Sequence, residues 1–293
     1  MVVILLSIQP TAITGAVIYY RDKTMESNYR AFFGMKKEPF RVDPDLSEIL
    51  LTDELQAVKN RFDYAIHLGG AAIVTGEIGS GKSTSLRYAA ENLHPSEYKT
   101  LYITATSGSI LEVYRQIAQE LGINRSSTSK AVMTKIIKKE VMEYVNGKKM
   151  KVVLIIDEAS LLRLEVLAEL HTICQFHKDS KTWLPLIIAG QSSLVDKLTY
   201  RSSAPLASRI VARSHLEGLN RQGMEEYLQH HQKIAGLSSN VFDDAAVTAI
   251  YQGSGGLLRK ANHLARGALI AAAKEKNQTV TAEHVRISAS EIF

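Results

Sequence analysis

Residues 76–83 read Gly76-Glu77-Ile78-Gly79-Ser80-Gly81-Lys82-Ser83, a stretch that fits G-x-x-x-x-G-K-[ST] at every fixed position. Phosphate binding requires these residue types. Gly76, Gly79 and Gly81 let the backbone curl with its N–H groups facing inward and no Cβ in the way. A helix opening near Lys82 adds its positive N-terminal end to the same spot. Lys82 is placed to reach the β- and γ-phosphates of a nucleotide, and the Ser83 hydroxyl to ligate Mg²⁺. The expected nucleotide-binding positions are Gly76, Glu77, Ile78, Gly79, Ser80, Gly81, Lys82, Ser83 and Thr84, and the expected ligand is ATP or GTP with Mg²⁺.

The flanks agree with that reading. Ala71–Thr75 (AAIVT) is a short apolar run before the loop, and Lys82–Asn92 carries apolar residues three and four apart after it, so the loop joins a buried strand to a helix. Further runs at Thr100–Thr104, Val152–Ile156 and Leu186–Ala189 are continuous and branched, as strands buried on both faces are. Helical stretches lie between them at Ile110–Leu121, Ser129–Val145 and Leu161–His177, with Gly122 and Gly147 where two of them should stop. Strands interleaved with helices specify an α/β fold around a parallel sheet. The run that begins at Lys151 ends in Asp157-Glu158. At the end of a buried strand beside a phosphate loop, Asp157 can hold Mg²⁺ directly or through water. Glu158 is then placed to orient and deprotonate an attacking water. Two carboxylates after an apolar run are a weak signal alone; joined to the loop they specify triphosphate hydrolysis.

After residue 220 the texture changes to helices only, at Arg221–Ala235, Asp243–Tyr251, Leu257–Lys274 and Thr281–Ser288, with Asp243 and Thr281 as helix starts. The expected division is an extra N-terminal apolar segment at 1–24, an α/β nucleotide-binding domain at 25–217 and a small all-helical lid at 218–293. Residues 1–20 are uncharged and about the length of a membrane span. No basic stretch precedes them as in a secretory signal, and Gln9-Pro10-Thr11 and Thr14-Gly15 interrupt the run. Met25 is the expected start, and membrane contact is expected only if residues 1–20 are part of the protein. The 293 residues carry 35 Lys+Arg against 30 Asp+Glu, a net charge of +5, with 45% hydrophobic and 22% charged residues. Collagen-like, low-complexity and mostly disordered chains are excluded, and an acidic partner such as nucleic acid is permitted but not demanded. Cys174 is the single cysteine, which excludes an intrachain disulfide and suits a reducing, cytoplasmic compartment.

On these residues the chain resembles AAA+ ATPases of the ExeA-like branch, which also includes ATPase subunits of bacterial transposition systems. Tyr29-Arg30-Ala31-Phe32-Phe33-Gly34-Met35 with Pro39-Phe40 is similar to the family's opening Y-x-x-F-F-G-h…P-F segment. The likeness continues through both motifs and covers nearly everything from residue 25 onward. It implies a P-loop NTPase sheet with a helical lid, ATP as the nucleotide, and three further site residues. Leu186–Gln191 resembles the strand that ends in a polar first sensor, so Gln191 would report on the γ-phosphate. Leu206-Ala207-Ser208-Arg209-Ile210 resembles the segment bearing the arginine finger, so Arg209, ahead of Arg213, would point into a neighbouring subunit's nucleotide. Gly255-Gly256-Leu257-Leu258-Arg259 with Asn262 resembles the G-x-P-R-x-x-N second sensor, with Leu258 in place of proline and Arg259 kept. An arginine supplied in trans implies a homo-oligomer, a ring or a helical filament, in which the finger speeds phosphoryl transfer by roughly 10³-fold or more.

Other signals carry less. His171 and His177, six residues apart on the expected helix, lie on different faces and cannot share a metal with Cys174. His230 and His231 diverge and are expected at the surface. The lysines between Lys130 and Lys151 read as a solvated helix face interrupted by Glu140 and Glu143, or as a DNA-facing one with Arg125, Lys130 and Lys135 on phosphates. The expected function is that of a transposition accessory or target-selection ATPase that engages duplex DNA and a transposase. One alternative is an ExeA-type ATPase that powers assembly of a secretion machine; the other is a nucleotide switch or scaffold without motor activity. ExeA-type proteins add a membrane span and a wall-binding region, whereas this sequence runs only to Phe293, just past the lid, which favours the first reading. Glu158 and Arg209 equip the site for turnover, which disfavours the switch.

Overall fold

The computed structural model of the chain describes residues 29–125 and 127–292; the expectations placed on residues 1–24 and on Met25 lie outside them. The chain divides into two compact units. One is Leu51–Gly218, and the other joins the described residues before Leu51 to those from Leu219 onward. No helix among the described residues is long and apolar enough to cross a membrane.

The first unit is built on five parallel strands: β1 (Ala71–Gly76), β2 (Tyr98–Thr104), β3 (Lys151–Asp157), β4 (Leu186–Gly190) and β5 (Ile210–Leu216). Their order across the sheet is β2-β3-β4-β1-β5. Side chains alternate between faces. Val152, Leu154 and Ile156 of β3 pack in one core with residues of the helices Ile110–Glu120 and Lys130–Met142, while Val153 and Ile155 pack in another with residues of Asp53–Leu68 and Lys82–Glu91. Because both faces are covered, β3 is apolar at every position from Val152 to Ile156, all fully buried. The edge strand β5 has no such run and is not recognisable from its sequence. Ala212 and Leu216 are buried on one face, and Val211, Arg213 and His215 are exposed on the other.

Local chemistry sets the ends of the helices. Asp53–Leu68 begins where the Thr52 hydroxyl accepts from the Leu55 N–H at 3.2 Å, and stops at Gly69, which has φ 70°. A Cβ on Gly69 would also collide with Thr182, so only glycine fits that turn. The helix expected over Leu161–His177 is broken into Leu164–Leu170 and a short 3₁₀ turn, His171–Cys174. The cause lies elsewhere in the sequence: Lys138 Nζ donates to the carbonyls of Thr172 and Gln175 at 2.8 and 2.7 Å, capping carbonyls that another helical turn would use. The chain then doubles back through His177, Lys178 and Asp179, all at positive φ, and the Trp183 ring covers Phe176 and His177.

In the second unit the helices Arg221–Ile234, Asp244–Ser254, Leu258–Lys274 and Ala282–Ile292 surround a core that includes Tyr29, Phe33, Met35 and Phe40. The aromatic segment before residue 50 thus packs with the helices rather than with the sheet of the span 25–217. His231, expected at the surface, is 5% exposed. Its ring lies 4.4 Å from that of Tyr227 and 5.7 Å from that of Phe40. Burial pushes its pKa down to about 4, so the folded chain holds this imidazole neutral. Below the unfolded value near 6.5 the unfolded chain takes up a proton that the folded chain refuses, so stability falls as pH drops toward 4. Between pH 6.5 and 5 this amounts to about 2 kcal/mol. Thermal unfolding at pH 7 and pH 5 should show a smaller acid loss for His231→Gln than for the parent, and equal losses would refute the assignment.

Candidate active site

The carboxyl-terminal edge of the sheet collects the site, as expected where a parallel sheet is wound with helices. The strand order puts β4 between β3 and β1, so Gln191, directly after β4, emerges between the acidic strand end and the phosphate loop. Gln191 is half-buried. Gly190 before it must be glycine, because a Cβ there would lie 2.7 Å from the Ser160 nitrogen.

The loop itself has the curl that its glycines predict. Gly79 and Gly81 have φ 84° and 100°, and a Cβ on Gly76 would meet the Leu216 carbonyl at 2.5 Å and Ser80 Oγ at 2.7 Å. Lys82 is 6% exposed, and its Nζ donates to the carbonyls of Gly76 and Glu77 at 3.0 and 2.8 Å. Ser83 is exposed at the first turn of the helix, Thr84 is half-buried, and Glu77 and Ile78 form the exposed tip of the loop. Ser80 Oγ is buried without a hydrogen-bond partner. A glycine cradle, a buried lysine and an orphaned hydroxyl in one loop fit a bound polyphosphate.

Asp157 and Glu158 leave β3 at the same edge of the sheet, with β4 between them and the strand that carries this loop. Asp157 is 5% exposed and lies on the same sheet face as Val153 and Ile155, the face covered by the helix that begins at Lys82. Its Oδ1 accepts from the Glu158 N–H at 2.8 Å, and its Oδ2 accepts from the Tyr102 hydroxyl at 2.9 Å. Glu158 has φ 52°, an uncommon conformation for a residue with a Cβ, which turns the chain sharply off the strand. Ser83 and Asp157 are the residues suited to hold Mg²⁺, which when bound neutralises charge on the phosphates.

Arg209 sits apart from this edge. Its carbonyl accepts from the Ala71 N–H at 2.8 Å, so it flanks the start of β1, five residues before Gly76. At about 3.3 Å per residue the two ends are roughly 16 Å apart, beyond the reach of an arginine side chain. Its guanidinium donates to the Pro205 carbonyl at 2.7 Å and to Asp179 at 2.5 Å. Arg213 is exposed within β5.

Arg259 belongs to the helical unit, where it is exposed in the first turn of Leu258–Lys274. Leu258, in the place of the family's proline, is the first residue of that helix, the position at which proline would be tolerated and is not needed. The turn before it is made by Gly255 and Gly256, at φ 62° and 78°, and the Gly256 carbonyl accepts from the Leu219 N–H at 2.9 Å. Asn262 has a structural partner, accepting from the Tyr227 hydroxyl at 2.8 Å. The basic candidates Arg125, Lys130 and Lys135 are all exposed, and Lys130 pairs with Glu169 at 2.9 Å.

Tyr102 is the site residue that sequence reading missed. It lies on β2, and only the register that pairs Thr104 with Asp157 brings its hydroxyl to the carboxylate.

A parallel sheet with a phosphate loop after β1, paired acids after β3 and a polar residue after β4 defines a P-loop protein of the AAA+ class. Residues 66–198 match the model of the AAA_22 family, an AAA domain, and a likeness to an ExeA-like protein extends beyond them. The chain is 28% identical over 267 residues to General secretion pathway protein A of Aeromonas hydrophila, a match that covers 90% of this chain and 48% of the relative. The chain therefore spans about half the length of that curated protein. Among solved structures it is similar to Cdc6p of Pyrobaculum aerophilum, at TM-score 0.67 and 17% identity over 90% of this chain and 71% of that one. It is also similar to the ORC1 protein of Aeropyrum pernix in complex with DNA, at TM-score 0.64 and 18% identity over 87% and 69%. At such identities these two establish the fold alone.

Proposed function

We propose that the chain hydrolyses ATP in a homo-oligomer, with each site completed by Arg209 of a neighbouring copy, and that this turnover drives assembly of a secretion machine. The observation that carries the proposal is the division of the catalytic set. Loop, acids and Gln191 share one edge of the sheet, while Arg209 flanks the opposite edge. Within this reading the loop amides and Lys82 bind the phosphates, and Asp157 and Ser83 hold Mg²⁺. Glu158 takes the proton from the attacking water, Gln191 and Arg259 sense the γ-phosphate, and the residue from the next copy meets the charge that develops in the transition state. The secretion partner is supported by the 28% identity that extends over 90% of the chain; an action in the cytoplasm at the envelope fits it. Phosphate release from MgATP, with Lys82→Ala as the blank, tests hydrolysis. A parent rate no higher than the blank overturns it.

A second reading, in which the oligomer acts on duplex DNA beside a transposase, is favoured by the net charge of +5 and by the exposed Arg125 and Lys135. It calls for binding that needs ATP, ignores sequence and weakens with salt, at a slope of about −0.9 in log K per phosphate contact. Fluorescence anisotropy with labelled duplex should then show ATP-dependent binding that Lys135→Glu weakens. The same negligible anisotropy change with ATP and ADP at low salt would remove DNA from the function.

A further inference from the structure

The paired acids are served by a group that neither motif contains. Tyr102 projects from β2 onto the sheet face shared by Val153, Ile155 and Asp157, and its ring is half-buried in the core beneath the helix Lys82–Glu91. Its hydroxyl donates to Asp157 Oδ2 at 2.9 Å while the Glu158 N–H donates to Oδ1 at 2.8 Å. Each carboxylate oxygen thus receives a donor, one from the chain's own turn and one from the adjacent strand. With both bonds in place rotation about the carboxylate's terminal bond is blocked, and each oxygen keeps a further lone pair free.

We infer that Tyr102 is a positioning residue for the metal: it fixes the Asp157 carboxylate in the orientation that receives Mg²⁺. The inference rests on the reading of Asp157 as a metal-holding acid. Partners that orient a metal-binding carboxylate typically contribute 10–100-fold to metal affinity. Tyr102 touches neither phosphate nor water in this role, so its loss should act on the metal and leave the nucleotide alone.

The test uses the full chain as Tyr102→Phe, which removes the hydroxyl and keeps the ring, with Asp157→Asn beside it. Mn²⁺ is titrated into protein saturated with ADP and followed by electron paramagnetic resonance of the bound ion; ADP affinity in EDTA is measured by fluorescence. The expected result is Mn²⁺ binding about tenfold weaker in Tyr102→Phe, at least as weak in Asp157→Asn, and unchanged metal-free ADP affinity in Tyr102→Phe. Parent Mn²⁺ affinity in Tyr102→Phe, with a loss in Asp157→Asn, overturns the role of Tyr102 and leaves the metal reading standing. Parent affinity in both variants overturns the metal reading of Asp157 and the inference with it. A loss of metal-free ADP affinity as large as the loss of Mn²⁺ affinity marks a general distortion and also overturns it.

Discussion

Glu158→Gln is expected to bind ATP as the parent does and to lose turnover by about 10²–10⁴-fold, the contribution of a positioned general base. The amide has the size of the carboxylate and cannot take a proton from water. The turn that carries it is held by the bond from the Glu158 N–H to Asp157 Oδ1, a backbone interaction that the substitution leaves intact. The loop, Lys82 and Asp157 are therefore undisturbed, and the loss should fall on kcat rather than on nucleotide affinity. Phosphate release under saturating MgATP, together with fluorescent-nucleotide binding, checks both halves. A variant that turns over at the parent rate would place the base elsewhere.

The second large effect is expected at Arg209. Arg209→Ala should bind nucleotide normally and hydrolyse it about 10³-fold more slowly, the size of effect seen when such an arginine is supplied by a partner. Its placement beside Ala71 leaves it unable to reach the phosphate loop of its own copy. Mixing Arg209→Ala with Lys82→Ala should then restore part of the activity, since one variant keeps a complete loop and the other keeps the arginine. Silence in the mixture, with each variant folded, would overturn the role of Arg209 in trans. The pair with Asp179 at 2.5 Å is half-exposed, so breaking it is a small cost beside such an effect.

Legibility followed sequence distance. The phosphate loop was readable because eight consecutive residues determine its curl, and β1, β3 and β4 because burial on both faces forces an unbroken apolar run. Asp157 and Glu158 could be placed because they end such a run. Strand β5 was not readable, since an edge strand with one exposed face tolerates Arg213 and His215. The break after Leu170 depends on Lys138, a cap donated from another helix. The burial of His231 depends on Phe40, which only the folded helical unit brings against it. Tyr102 was invisible for the same reason: a tyrosine in a strand is unremarkable until the strand order names its neighbour. What sequence pattern conveys is the state of each segment; what it omits is which segments touch.

The bond between the Arg209 carbonyl and the Ala71 N–H has a consequence for how such a protein is controlled. Under the proposed role of Arg209 in trans, a subunit whose own arginine is anchored at the far end of the sheet is half an enzyme, complete only when another copy arrives. Specific activity is then a function of abundance. Dilution becomes an off-switch, rate climbs more steeply than in proportion to protein, and anything that gathers copies at one place in the cell ignites hydrolysis there without touching the nucleotide.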